Sequence, residues 1–127
     1  MKWLFVLPAL MLCAFMAAPG PRWELLGSRV VNYSLDHDEI LVTGAEGKFD
    51  AVKIKVLRAP LNMRRVVVHF ANGTEQDLAI RDNFRAGSES RVIDLTGNDR
   101  IIRRISLWYD TKNASRKKAL VEVWGRH

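Results

Sequence analysis

The sequence predicts an all-β chain folded as an antiparallel sandwich, jelly-roll- or immunoglobulin-like, with about eight strands. Three observations predict it. Apolar residues recur at every second position in run after run, the period of a half-buried strand. Turn-forming clusters separate those runs at short intervals. No stretch carries the apolar stripe of a helix.

The length of 127 residues fits one domain, and the composition is an ordinary globular one, 48% hydrophobic and 27% charged. Disorder and fibrous repeats are excluded on that balance. Twenty Lys and Arg against fourteen Asp and Glu give a net charge of +6.

The first residues are set apart from the fold. Lys2 is followed by Trp3 to Ala18, sixteen residues without a charge, ending in small residues. This reads as a signal peptide over residues 1–17, ahead of a single domain over 23–127. The run is shorter than the roughly 20 apolar residues of a spanning helix, and Pro8 interrupts it. The expected product has no membrane span and is periplasmic or secreted. Cys13 lies inside the leader, and Leu12 before it argues against lipid attachment. The mature chain then has no cysteine, which excludes disulfides, zinc–thiolate sites and a cysteine nucleophile. A core must hold it together.

The strands follow in order. Trp23–Tyr33 and Glu39–Thr43 are rich in Val, Leu and Ile. In Phe49–Leu57, Val52, Ile54 and Val56 alternate with Lys53 and Lys55. Val66, Val68 and Phe70 alternate with Val67 and His69, and Leu78 and Ile80 with Asp77 and Ala79. Ile93 and Leu95 flank Asp94. Ile105, Leu107 and Tyr109 oppose Arg104, Ser106 and Trp108, and Ala119, Val121 and Val123 oppose Leu120, Glu122 and Trp124. Turn clusters separate them: Asp36-His37-Asp38, Gly44 to Gly47, Ala59-Pro60, Asn72-Gly73, Gly97-Asn98-Asp99 and Lys112-Asn113.

One turn has a readable register. A two-residue Asn72-Gly73 loop would set Val68 against Asp77, mixing apolar and charged residues on one face. A three-residue loop, Ala71-Asn72-Gly73, pairs Phe70 with Thr74, Val68 with Gln76 and Val66 with Leu78. It keeps the inward faces in phase and requires a left-handed Gly73.

Gly87, Ser90-Arg91, Asp94-Leu95, Gly97, Arg100, Ile102, Ile105 and Tyr109, preceded by Asp36-x-Asp38-x-Ile40, Gly47-x-Phe49 and Asn72-Gly73, form a recognisable series. It resembles a family of small secreted bacterial proteins of unknown function, over roughly Trp23 to Gly125. The resemblance implies an exported all-β sandwich. It implies no activity and no catalytic residues.

Candidate sites are few. Asp36, Asp38 and Glu39 place carboxylates near one another, as calcium sites do, yet the glycine and distal glutamate of a calcium loop are missing. A turn accounts for the aspartates as well. His37, His69 and His127 show no paired metal spacing, and no nucleophile-elbow sequence is present. Arg64-Arg65, Arg103-Arg104 and Arg116-Lys117-Lys118 concentrate positive charge, with Trp108 and Trp124 on outward positions. Cations on exposed strands serve solubility and edge protection, which is the first reading of this charge; the second is binding of a polyanionic glycan or nucleic acid by basic residues among aromatics. Arg91 and Arg100 flank a turn and suit structural bonds or a ligand carboxylate. The sequons at Asn32, Asn72 and Asn113 fall in or beside turns.

No motif specifies a reaction. The expectation is a non-enzymatic, exported binding or envelope-associated protein without a cofactor. Its expected partner is an envelope glycan or another exported protein rather than nucleic acid. The alternatives are a calcium- or carbohydrate-dependent ligand binder using Asp36, Asp38 and the outer Trp108 and Trp124, with Arg91 and Arg100 as further candidate ligand contacts, and a small hydrolase.

Overall fold

The computed structural model describes residues 22–31, 36–43, 47–110 and 118–127. The leader, Cys13 and the sequons at Asn32 and Asn113 lie outside the described residues. Ten strands and no helix occur among the described residues: β1 (Trp23–Val30), β2 (His37–Leu41), β3 (Ala51–Leu57), β4 (Leu61–Phe70), β5 (Glu75–Asp77), β6 (Asp82–Phe84), β7 (Ser88–Glu89), β8 (Ile93–Asp94), β9 (Ile102–Tyr109) and β10 (Leu120–Arg126).

They form two antiparallel sheets packed face to face. The first runs β1-β10-β3, with β7 and β8 in turn along the far side of β3; the second runs β2-β9-β4, with β5 and β6 along the far side of β4. The alternating residues meet between the sheets: Ile54, Val121 and Val123 from the first, Val66, Ile105 and Leu107 from the second, all fully buried. The all-β sandwich expected from the sequence is the fold.

Three bulges shape it. Each inserts one residue into a strand and so shifts the parity of everything beyond it. In β1 the register skips Leu26, between Leu25↔Trp124 and Gly27↔Val123. A side chain on Gly27 would sit 2.5 Å from Ile40 Cγ2, so only glycine lets β1 approach β2 here. In the β4–β9 ladder the register skips Arg64 at one end, between Met63↔Tyr109 and Arg65↔Trp108. At the other end it skips Arg103, between His69↔Arg104 and Phe70↔Ile102. The first of these reconciles buried Leu61 and Met63 with buried Val66, Val68 and Phe70, which have opposite parity.

The hairpin follows the three-residue loop. Val68 faces Gln76, Phe70 N–H donates to Thr74 O, and Leu78 N–H donates to Val66 O, each bond 2.9 Å. Gly73 has φ +90°.

Other expectations need correction. His37 and Asp38 are strand residues, paired with Trp108 and Leu107, because Asp38 turns inward to a buried partner. Leu78 and Ile80 are buried but lie beyond the end of β5, although the Leu78 N–H still bonds Val66 O. Asp77 Oδ1 accepts the Ala79 N–H at 2.8 Å, and Ala79 takes φ +56°, which ends the strand at Asp77. The short β6 and β7 carry no apolar alternation to announce them.

Candidate functional site

The outer face of the second sheet is laid out in rows across its strands. His37, Trp108 and Arg65 form the first; Glu39, Ser106, Val67 and Asp77 the second; Leu41, Arg104, His69 and Glu75 the third. The bulge at Arg64 sets two consecutive arginines, 64 and 65, on the exposed surface. β6 pairs Asp82 with Met63, and one further step of that register brings Arg81 level with Arg64.

A cavity of about 360 Å³ opens here, lined by Asp36, Arg64, Arg65, Arg81 and Trp108. A second, of about 310 Å³, shares Arg64 and Arg81 with it and adds Asn62, Asn83 and Asp110. The two adjoin at Arg64 and Arg81 as a two-part cleft. Arg65 donates to Asp77 Oδ2 at 2.9 Å. Together with the Ala79 N–H, the stronger influence, Arg65 holds the Asp77 carboxyl below its usual value. Arg64 and Arg81 form no ion pair among the described residues. Trp108 stands between His37, stacked at 4.7 Å, and the Arg65 guanidinium, 5.0 Å from its ring centre. Its ring faces are thus engaged. The cleft offers cationic donors and an indole edge, a chemistry suited to carboxylate, sulfate or phosphate oxygens.

The third row holds a different constellation. His69 Nε2 lies 2.9 Å from Ser106 Oγ, and His69 Nδ1 lies 3.3 Å from Glu75 Oε2. The connectivity is that of a Ser–His–carboxylate relay. Ser106, however, is only 2% exposed and sits mid-strand in β9, which is paired on both sides. Its neighbouring backbone N–H groups are committed to the ladders, so no oxyanion hole forms beside it.

The residues singled out from sequence are scattered. Trp124 lies on the first sheet, donating its indole N–H to Glu122 at 3.2 Å, so it does not join Trp108 in a row. The Arg100 guanidinium covers the Phe70 ring at 3.7 Å and donates to Thr96 O and Thr74 Oγ1, clamping two loops together. Arg91 reaches Leu78 O at 3.4 Å. Asp36 is exposed at the cleft, Asp38 points into the sandwich toward Arg29 and Tyr109, and Glu39 points outward toward Arg104. Strand alternation sends these last two carboxylates to opposite faces, so they do not converge on one ion.

Comparison with known proteins then places the chain. A family profile described as a domain of unknown function, DUF2541, matches residues 4–125. The chain belongs to this family. No curated protein matches it. The fold is similar to part of AlgX of Pseudomonas aeruginosa, with a TM-score of 0.55 and 12% identity, over 88% of this chain and 28% of that one. The chain thus spans under a third of AlgX, and the likeness is one of fold. The coat protein of Tobacco streak virus aligns with a TM-score of 0.43 and 17% identity, over 87% of this chain and 88% of that one.

Arg81, a lone basic residue between Ile80 and Asp82, carries no signal in the sequence. The signal for the cleft was nonetheless present. Leu61 and Met63 have odd parity, Val66 and Val68 even, and the residues between them are Arg64 and Arg65. A parity change across two arginines marks a bulge that sets both outside.

Proposed function

We propose that the protein is an exported, non-enzymatic binding module that takes an acidic envelope glycan in the Arg64–Arg81 cleft. One observation carries the reading: Arg64 and Arg81, which form no ion pair among the described residues, share a two-part cleft beside Arg65 and Trp108. Edge protection does not account for them, because Arg64 and Arg65 belong to β4, an interior strand. The apolar leader read from the sequence supports export, and with it a glycan rather than nucleic acid. The occupied faces of Trp108 support the same choice, since single-stranded nucleic acid relies on open stacking platforms.

Calorimetric titration with polygalacturonate, a carboxylate-bearing polysaccharide, tests this. Binding at low salt, absent for neutral dextran and at least ~10-fold weaker in Arg64→Ala/Arg81→Ala, supports the reading. Equal or tighter binding of poly(dT) would move the ligand to nucleic acid. No heat at low salt would overturn it.

A second reading, a serine hydrolase using Ser106, His69 and Glu75, is favoured by their spacing alone. The burial of Ser106 weighs against it.

A further inference from the structure

The β4–β9 ladder carries an arginine bulge at each end, and both bulges do the same thing. Arg64 doubles with Arg65 at one end, and Arg103 doubles with Arg104 at the other. Both strands are interior to the sheet. Arg103 and Arg104 line a further cavity of about 360 Å³ with His69, Asn72 and Thr74. Arg103 forms no ion pair among the described residues. Arg104 Nε is buried without a hydrogen bond, the nearest carboxylate being Glu39 Oε1 at 3.8 Å, beyond bonding range. A buried donor of that kind is costly unless an acceptor reaches it.

The two arginine pairs sit on the same sheet. Arg65 and His69 are four residues apart along β4, and Trp108 and Arg104 four apart along β9, so the two clusters lie on the order of 13 Å from each other. The row between them has small residues at its centre, Ser106 and Val67. Its two carboxylates face cations: Asp77 bonds Arg65, and Glu39 lies beside Arg104.

We propose that the Arg103–Arg104 cavity is a second anion subsite, and that one carboxylate-bearing polysaccharide chain runs along the β4–β9 axis to engage both arginine pairs. This rests on the reading of the Arg64–Arg81 cleft as a glycan site and adds the direction and minimum length of its ligand. A chain holding one subsite presents its next carboxylates to the other at high effective concentration, so affinity rises with length beyond what either subsite gives.

Oligogalacturonates of increasing length test it, titrated into the wild-type protein and into Arg103→Ala, an exposed position whose replacement leaves the core untouched; melting temperatures verify folding. The expected result is octasaccharide binding at least ~10-fold tighter than disaccharide binding in the wild type, with that ratio falling toward one in Arg103→Ala. Disaccharide binding lost in Arg64→Ala/Arg81→Ala, together with a wild-type length ratio near one, overturns the second subsite and leaves the first standing. A length ratio unchanged by Arg103→Ala also overturns it. Failure of every oligomer to bind refutes the cleft reading itself.

Discussion

Arg29, on β1 of the first sheet, donates its Nε–H to Asp38 Oδ1 of the second sheet at 3.2 Å. Asp38 is buried, and its other oxygen accepts the Tyr109 hydroxyl at 2.8 Å. One carboxylate therefore ties the edge of one sheet to the interior of the other. Replacing Asp38 by Ala removes a buried acceptor that both the Tyr109 hydroxyl and Arg29 use, at a cost of about 1–3 kcal/mol. Tyr109→Phe should cost less, because Asp38 keeps the Arg29 guanidinium when the hydroxyl is removed. Urea unfolding checks the order; Asp38→Ala no more destabilising than Tyr109→Phe would contradict it.

Gly73 makes the cleanest backbone test. Its φ of +90° is left-handed, and a Cβ there would meet nothing within 4 Å. Any loss on substitution is thus conformational. Gly73→Ala should destabilise by about 1 kcal/mol, Gly73→Val by more, and Gly73→Asn by less. A neutral Gly73→Val in thermal unfolding would show that the loop relaxes into another turn.

That hairpin was legible from sequence because parity on two short strands constrains the loop between them. Val66, Val68 and Phe70 fix one face, and only a three-residue loop returns Gln76 and Leu78 in phase. The arginine cleft was legible only in part. Arg64-Arg65 and Arg103-Arg104 stand out as charge, but edge and interior strands look alike until strand order is known. Trp108 and Trp124 fail to form a row for the same reason: alternation shows that both face outward, but not from which sheet. From sequence Asp38 reads as part of a turn, because a buried aspartate takes its meaning from partners on other strands, Arg29 on β1 and Tyr109 on β9.

Acid stability follows from Asp77. Its pKa is lowered from the usual 3.8, first by the Ala79 N–H it accepts and then by Arg65. A folded-state pKa below the unfolded one contributes stability that is present above about pH 4 and lost as pH falls through the folded value. The stability gap between wild type and Asp77→Asn should therefore be widest near neutrality and close under acid. Chemical denaturation across that range decides it; a gap that widens toward low pH would reverse the sign.

The relay around His69 yields a prediction of its own. With Ser106 buried and no local oxyanion hole, a fluorophosphonate should not label the protein, whereas an active serine hydrolase reacts. Labelling of the wild type that disappears in Ser106→Ala would instead establish a serine nucleophile.

Nuclear magnetic resonance of the isotope-labelled protein during a polygalacturonate titration tests the binding face most directly. The indole signal of Trp108 and the side-chain Nε–H signals of Arg64 and Arg81 should shift together and saturate, while those of Trp23 and Trp124 on the first sheet stay in place. Shifts confined to the first sheet, or none at saturating polysaccharide and low salt, would contradict a glycan site in this cleft.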